Sequence, residues 1–119
     1  MESEVCVKHI ANEVYELLGP GLLENVYHDT MNIGLMKHGI HYEHQKIIPI
    51  MYLGLNTGHY FKLDTVVEGQ LILEYKSDKK LTDVHKQQLT RYLRMSGLKK
   101  GFLINFGQTL EIFEMMINS

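Results

Sequence analysis

The chain contains one cysteine, two prolines and no tryptophan in 119 residues. A single thiol excludes an internal disulfide framework, and Cys6, placed in a helical pattern, reads as a small buried residue and not a nucleophile. No apolar run approaches the roughly 20 residues that a membrane-spanning helix needs. Residues 1–4 carry acids where a secretory leader would carry bases, so we expect a soluble, cytoplasmic chain with no membrane partner. Repeats, low-complexity tracts and linker-like stretches are also missing. That absence points to a single domain over residues 1–119, and 45% apolar content is enough to build its core.

A strong excess of charge is absent too, since the net formal charge is −2, which argues against a globally basic nucleic-acid binder. The distribution is lopsided, however. Residues 76–100 hold eight basic side chains (Lys76, Lys79, Lys80, Lys86, Arg91, Arg94, Lys99, Lys100) against Asp78 and Asp83, leaving four basic and twelve acidic residues for the rest. A basic face beside an acidic site suits an enzyme acting on a polyanion, and a solvated helix face is the plain alternative.

Apolar residues at three- and four-residue spacing predict a helix over 4–18, ended by Gly19-Pro20-Gly21, and a second over 22–38, closed by Gly39. The period then changes. Residues 41–53 read as a strand in which Pro49 marks an edge or an irregularity. Asn56-Thr57-Gly58 reads as a turn, returning the chain antiparallel over 60–67. A run Leu71-Ile72-Leu73-Glu74-Tyr75-Lys76 follows as a buried strand. Thr82 is placed to cap a third helix running to Ser96, with Gly97 as its stop, and residues 101–105 and 110–115 read as two further strands. Strands three and four flank a helix of crossover length and should lie parallel. The fold class is therefore α/β (α+β): helices on a mixed sheet of about five strands, in the order α-α-β-β-β-α-β-β.

Glu74 and Lys76 stand two residues apart on a strand and so share a face, an arrangement costly to bury without a partner or a metal. Other residues converge on them. Asp64 precedes Glu74 by ten positions, Gly21, Glu24 and Tyr27 are spaced as GxxExxY, and Gln88 and Tyr92 lie one turn apart on the third helix. This set resembles the PD-(D/E)xK nuclease superfamily, with its restriction-endonuclease-like core, and within it the small prokaryotic group named for GxxExxY. Leu63-Asp64 stands where the eponymous proline-aspartate pair would be.

The resemblance implies that Asp64 and Glu74 bind Mg2+ or Mn2+. It implies that Glu24 reaches the ion directly or through water, and that Lys76 orients the attacking water or stabilises charge on the phosphorane. Gln88 and Tyr92 would border the site, with Tyr27 and His85 supporting it, and Lys79, Lys80, Lys86 and Arg91 would contact nucleic acid, DNA ahead of RNA. Each residue also has an ordinary reading: Glu24 as a helix-start acid, Tyr27 as core with its hydroxyl near Glu24, Glu74 with Lys76 as an ion pair, His85 as a capping residue. His41 and His44, three apart on a strand, point to opposite faces and make a poor zinc pair.

Register makes the site conditional on one turn. A two-residue loop at Glu68-Gly69 would put Asp64 on the face opposite Glu74. A three-residue loop through Gln70, with Gly69 at positive φ, sets them across from each other. The function expected is a metal-dependent nuclease. A catalytically silent module binding nucleic acid or a protein partner is the competing class, and the apolar strand at 110–115 is a candidate homodimer edge.

Overall fold

The computed structural model describes residues 2–118. The chain runs α1 (Glu2–Leu18), α2 (Glu24–Lys37), β1 (Tyr42–Tyr52), β2 (Leu55–Val67), β3 (Leu71–Lys76), α3 (Asp83–Ser96), β4 (Lys100–Phe106) and β5 (Leu110–Met116), the expected order. Helix α3 begins and ends where its capping residues predict. Thr82 Oγ accepts the His85 amide, and His85 Nδ1 accepts the Thr82 amide at 3.1 Å, so two otherwise orphaned helix-start donors are satisfied. Gly97, at φ 78°, provides the left-handed stop.

The sheet has the spatial order β1-β2-β3-β4-β5, antiparallel except for β3 and β4, which lie parallel with α3 as their crossover. Helices α1 and α2 cover one face, where Val7, Ile10, Tyr27 and Met31 meet Leu73, Tyr75 and Phe102. Helix α3 covers the other, where Leu89, Tyr92 and Leu93 meet Ile72 and Leu103. Strands β3 and β4 are thus buried on both faces except at Lys76 and Lys100, which explains their nearly unbroken apolar runs. No helix among the described residues is long and apolar enough to cross a membrane.

The β2–β3 connection is the three-residue one. Val67 pairs with Leu71, the Gln70 amide donates to the Val67 carbonyl, and Gly69 takes φ 66°. Glu68 is also left-handed, at φ 53°.

Two local expectations fail. The β1–β2 turn lies at Leu53-Gly54, with φ 50° and 78°, and β2 starts at Leu55. The Asn56-Thr57-Gly58 signal serves a bulge instead: the register shifts between Pro49 and Met51, Thr57 Oγ donates to the Ile50 carbonyl, and the Gly58 amide donates to Asn56 Oδ1. The irregularity expected of Pro49 is there. Helix α2 starts at Glu24 and not at residue 22, with Leu23 at its N-cap position and no side-chain cap.

Candidate metal and catalytic site

Regular β2–β3 pairing runs from Val67–Leu71 to Thr65–Leu73 and stops at the level of Asp64 and Glu74. There the carboxylates take over from the ladder. The Asp64 amide donates to Glu74 Oε2 at 2.8 Å, and the Tyr75 amide donates to Asp64 Oδ2 at 2.9 Å. Each acid satisfies a main-chain donor of the opposite strand, so the two side chains are held side by side in the notch where the regular pairing ends. The distortion crosses the sheet: Gln45, at the level of Asp64 on β1, is left-handed at φ 52°. Leu63 and Val66, three apart, pack into one cluster, which breaks strict alternation around Asp64.

Burial governs the electrostatics. Glu74 is 3% exposed, and desolvation, followed by the Asp64 charge, pushes its carboxyl well above the usual range. Desolvation also raises Asp64, opposed chiefly by the Tyr75 amide and then by His28. Among the described residues, no lysine or arginine lies within 4.0 Å of either acid. Lys76, half-buried at the end of β3, acts on both from farther away and lowers both.

Around this pair the other candidates separate. Glu24 is half-buried at the start of α2, close enough for its charge to raise Glu74 further. It does not close with Asp64 and Glu74 into a set of three ligand atoms within 4.8 Å among the described residues. Tyr92 borders the notch, its hydroxyl pushed up by burial and then by the charges of Glu74 and Asp64, with Gln88 near enough on the same helix to oppose that rise slightly. Tyr27 is core, stacked on Phe106 at 4.4 Å. Its hydroxyl does not reach toward Glu24; it donates to the Gly19 carbonyl at 2.6 Å and accepts from the Leu22 amide, fastening the α1–α2 connection. His85 caps α3 and places Nε2 2.9 Å from Asp78. Lys79, Lys80 and Arg91 are exposed, whereas Lys86 lies over the Phe113 ring of β5 at 4.5 Å.

Two residues that sequence reasoning missed shape the site. His28, one turn after Glu24 on α2, is buried, meets Tyr75 edge-on and brings Nε2 to 3.4 Å from Asp64 Oδ2. Its four-residue spacing from Glu24 is the signal that was available. Asn105, fully buried on β4, accepts the Asp78 amide at 2.9 Å and donates to the Asp78 carbonyl and to Glu111. It thereby pins the loop that follows Lys76 and carries Lys79 and Lys80.

A mixed sheet clad by helices on both faces, with two opposed acids and a lysine where the regular β2–β3 pairing ends, is the architecture of a nuclease-like α/β domain. The family model of the PD-(D/E)XK nuclease superfamily matches residues 2–115, and the chain belongs to that superfamily. No match was found among curated proteins. Among solved structures, the crystal structure of SSO0001 is similar, with a TM-score of 0.59 and 15% identity over 100% of this chain and 79% of that one, a likeness of fold.

Proposed function

We propose that this protein is a divalent-metal-dependent nuclease of the GxxExxY group, hydrolysing phosphodiester bonds with DNA as the preferred substrate. The observation that carries the reading is the Asp64–Glu74 pair: two desolvated carboxylates set against each other with no lysine or arginine in ion-pairing contact among the described residues, His28 alone approaching Asp64 at 3.4 Å. Two such charges oppose one another until a cation neutralises them. The donor set is oxygen alone, which fits a hard ion such as Mg2+ or Mn2+, commonly held by one or two carboxylates with the remaining positions left to water and phosphate.

Asp64 and Glu74 would hold the ion, and Glu24, outside their immediate set, would act through water. When bound, the ion lowers the pKa of a coordinated water and offsets charge developing on the phosphate oxygens. Lys76 supplies a fixed positive charge beside both acids, where it attracts the phosphate and orients the attacking water. Tyr92 and Gln88 wall the notch on the α3 side. Lys79, Lys80 and Arg91 offer exposed cations to flanking phosphates, while the ring contact of Lys86 makes it a weaker candidate.

Calorimetric titration with Mn2+ and cleavage of labelled DNA test the reading together. Asp64→Asn is expected to weaken metal binding. Lys76→Ala is expected to keep metal affinity while turnover falls by about 10²–10³, the size typical of losing one charge-stabilising group. Wild-type protein that neither binds metal nor cuts DNA would leave the silent binding module in its place.

A further inference from the structure

We propose that His9, Glu13 and His38 form a second metal site, of the Zn2+ class, on the surface where α1 meets the end of α2. Ligand atoms of the three lie within 4.8 Å of one another, and among the described residues this is the set of three that closes. His9 and Glu13 are one turn apart on α1, with His9 Nε2 3.3 Å from Glu13 Oε1, so one helix face presents both. His38 is the C-cap residue just past the end of α2, and its ring centre lies 6.2 Å from that of His9.

Independent features prepare this cluster for a cation. His38 Nδ1 lies 2.8 Å from the Gly34 carbonyl oxygen, which can only accept, so Nδ1 carries a proton and in the neutral ring Nε2 is the nitrogen with the lone pair. That is how metal-binding histidines are held in the correct tautomer. The negative end of the α2 dipole lies at His38 and favours positive charge there. The helices are also held in close approach, since a Cβ on Gly34 would fall 2.5 Å from Ile10 Cγ2, which sets the α1 residues beside the α2 terminus.

Two imidazoles and a carboxylate suit Zn2+ and its neighbours and not the hard ions expected at the acid pair. Tetrahedral Zn2+ with bonds of about 2.0–2.2 Å places its ligands about 3.4 Å apart, within small side-chain adjustments of the arrangement seen. All three side chains are exposed, so water can complete the shell. Glu24 and His38 stand at opposite ends of α2, about 20 Å apart at 1.5 Å per residue, so the two sites are independent. Bound metal would clamp α1 to α2.

The untagged full-length chain should be titrated with Zn2+ in excess Mg2+, which occupies hard-oxygen sites, with His ring resonances and melting temperature followed in parallel. One equivalent of Zn2+ is expected to bind, shifting the His9 and His38 rings first and raising Tm. His9→Ala and His38→Ala should each weaken binding at least about tenfold, with only a small change in the metal-free Tm from the exposed Gly34 and Glu13 contacts they lose. Glu13→Gln serves as the third variant should either alanine variant fold poorly. Zn2+ affinity equal in wild type and variants, or no binding at millimolar Zn2+, overturns the proposal.

Discussion

Strands β3 and β4 and the outer part of the β1–β2 hairpin belong to one hydrogen-bonded sheet, yet they are stabilised by different means. Every residue of β3 from Leu71 to Tyr75 is buried, and β4 is buried from Gly101 onward. The hairpin end exposes Met51, Tyr52, Leu53, Leu55 and Tyr60, held by ladder pairs and by the Asn56 and Thr57 side-chain bonds. A shared ladder therefore does not make a shared core; helices covering both faces do. Strand β2 passes from one regime to the other along its length, and Asp64 sits at the transition, just before the fully buried Thr65, Val66 and Val67. The candidate site is buried on its β3 side, at Glu74, and less buried on its β2 side, at Asp64.

Stability measurements should expose this difference most strongly in the centre. Leu73→Ala removes a fully buried side chain between the α1–α2 layer and the sheet, and is expected to cost about 2–5 kcal/mol in urea unfolding. A cost below 1 kcal/mol would mean that the doubly covered strands are no better packed than the arm.

A smaller effect of opposite sign is expected in the notch. Glu74→Gln keeps an oxygen to accept the Asp64 amide and removes the buried charge. The carboxyl's folded-state pKa is raised, so the folded protein holds its proton more tightly than the unfolded chain. Its contribution is fully present below the unfolded value near 4 and is lost as pH rises through the higher folded value. At pH 7–8 without metal, Glu74→Gln should therefore raise Tm by about 4–8 °C, the shift that about 1 kcal/mol gives in a domain near this size. The gap should close toward pH 4, and Mn2+ should narrow it at neutral pH by stabilising wild type alone. A variant that melts lower than wild type at pH 8 would show that the Glu74 charge is already compensated.

What could be read in the sequence follows the same boundary. Helix α3 was legible at both ends because Thr82 and Gly97 act within a turn of themselves. The Asp64–Glu74 opposition was legible only on condition that the loop at Gly69 has three residues and not two; given that loop, the side-chain period of two does the rest. Local signals misled where two structures compete for the same residues: Asn56-Thr57-Gly58 has the chemistry of a turn and equally that of a bulge, and nothing near Leu53 marks it for positive φ. His28, Asn105 and the Tyr27 hydroxyl were hidden for another reason. Their partners Asp64, Asp78 and Gly19 are brought to them by tertiary packing and the local path of the chain, and no periodicity encodes that.

The smallest expected effect sharpens the comparison from the exposed side. Leu53 is 84% exposed and held at φ 50°, where a leucine side chain is strained and asparagine is at ease. With Gly54 following it, Leu53→Asn creates the asparagine-glycine pair favoured in two-residue hairpin turns. No packed contact in the core clusters involves Leu53, so the substitution is expected to stabilise by about 0.5 kcal/mol, read as a small rise in Tm. A fall in Tm would mean that the hairpin end is held by its apolar side chains and not by its ladder, and the contrast with β3 would then be one of degree.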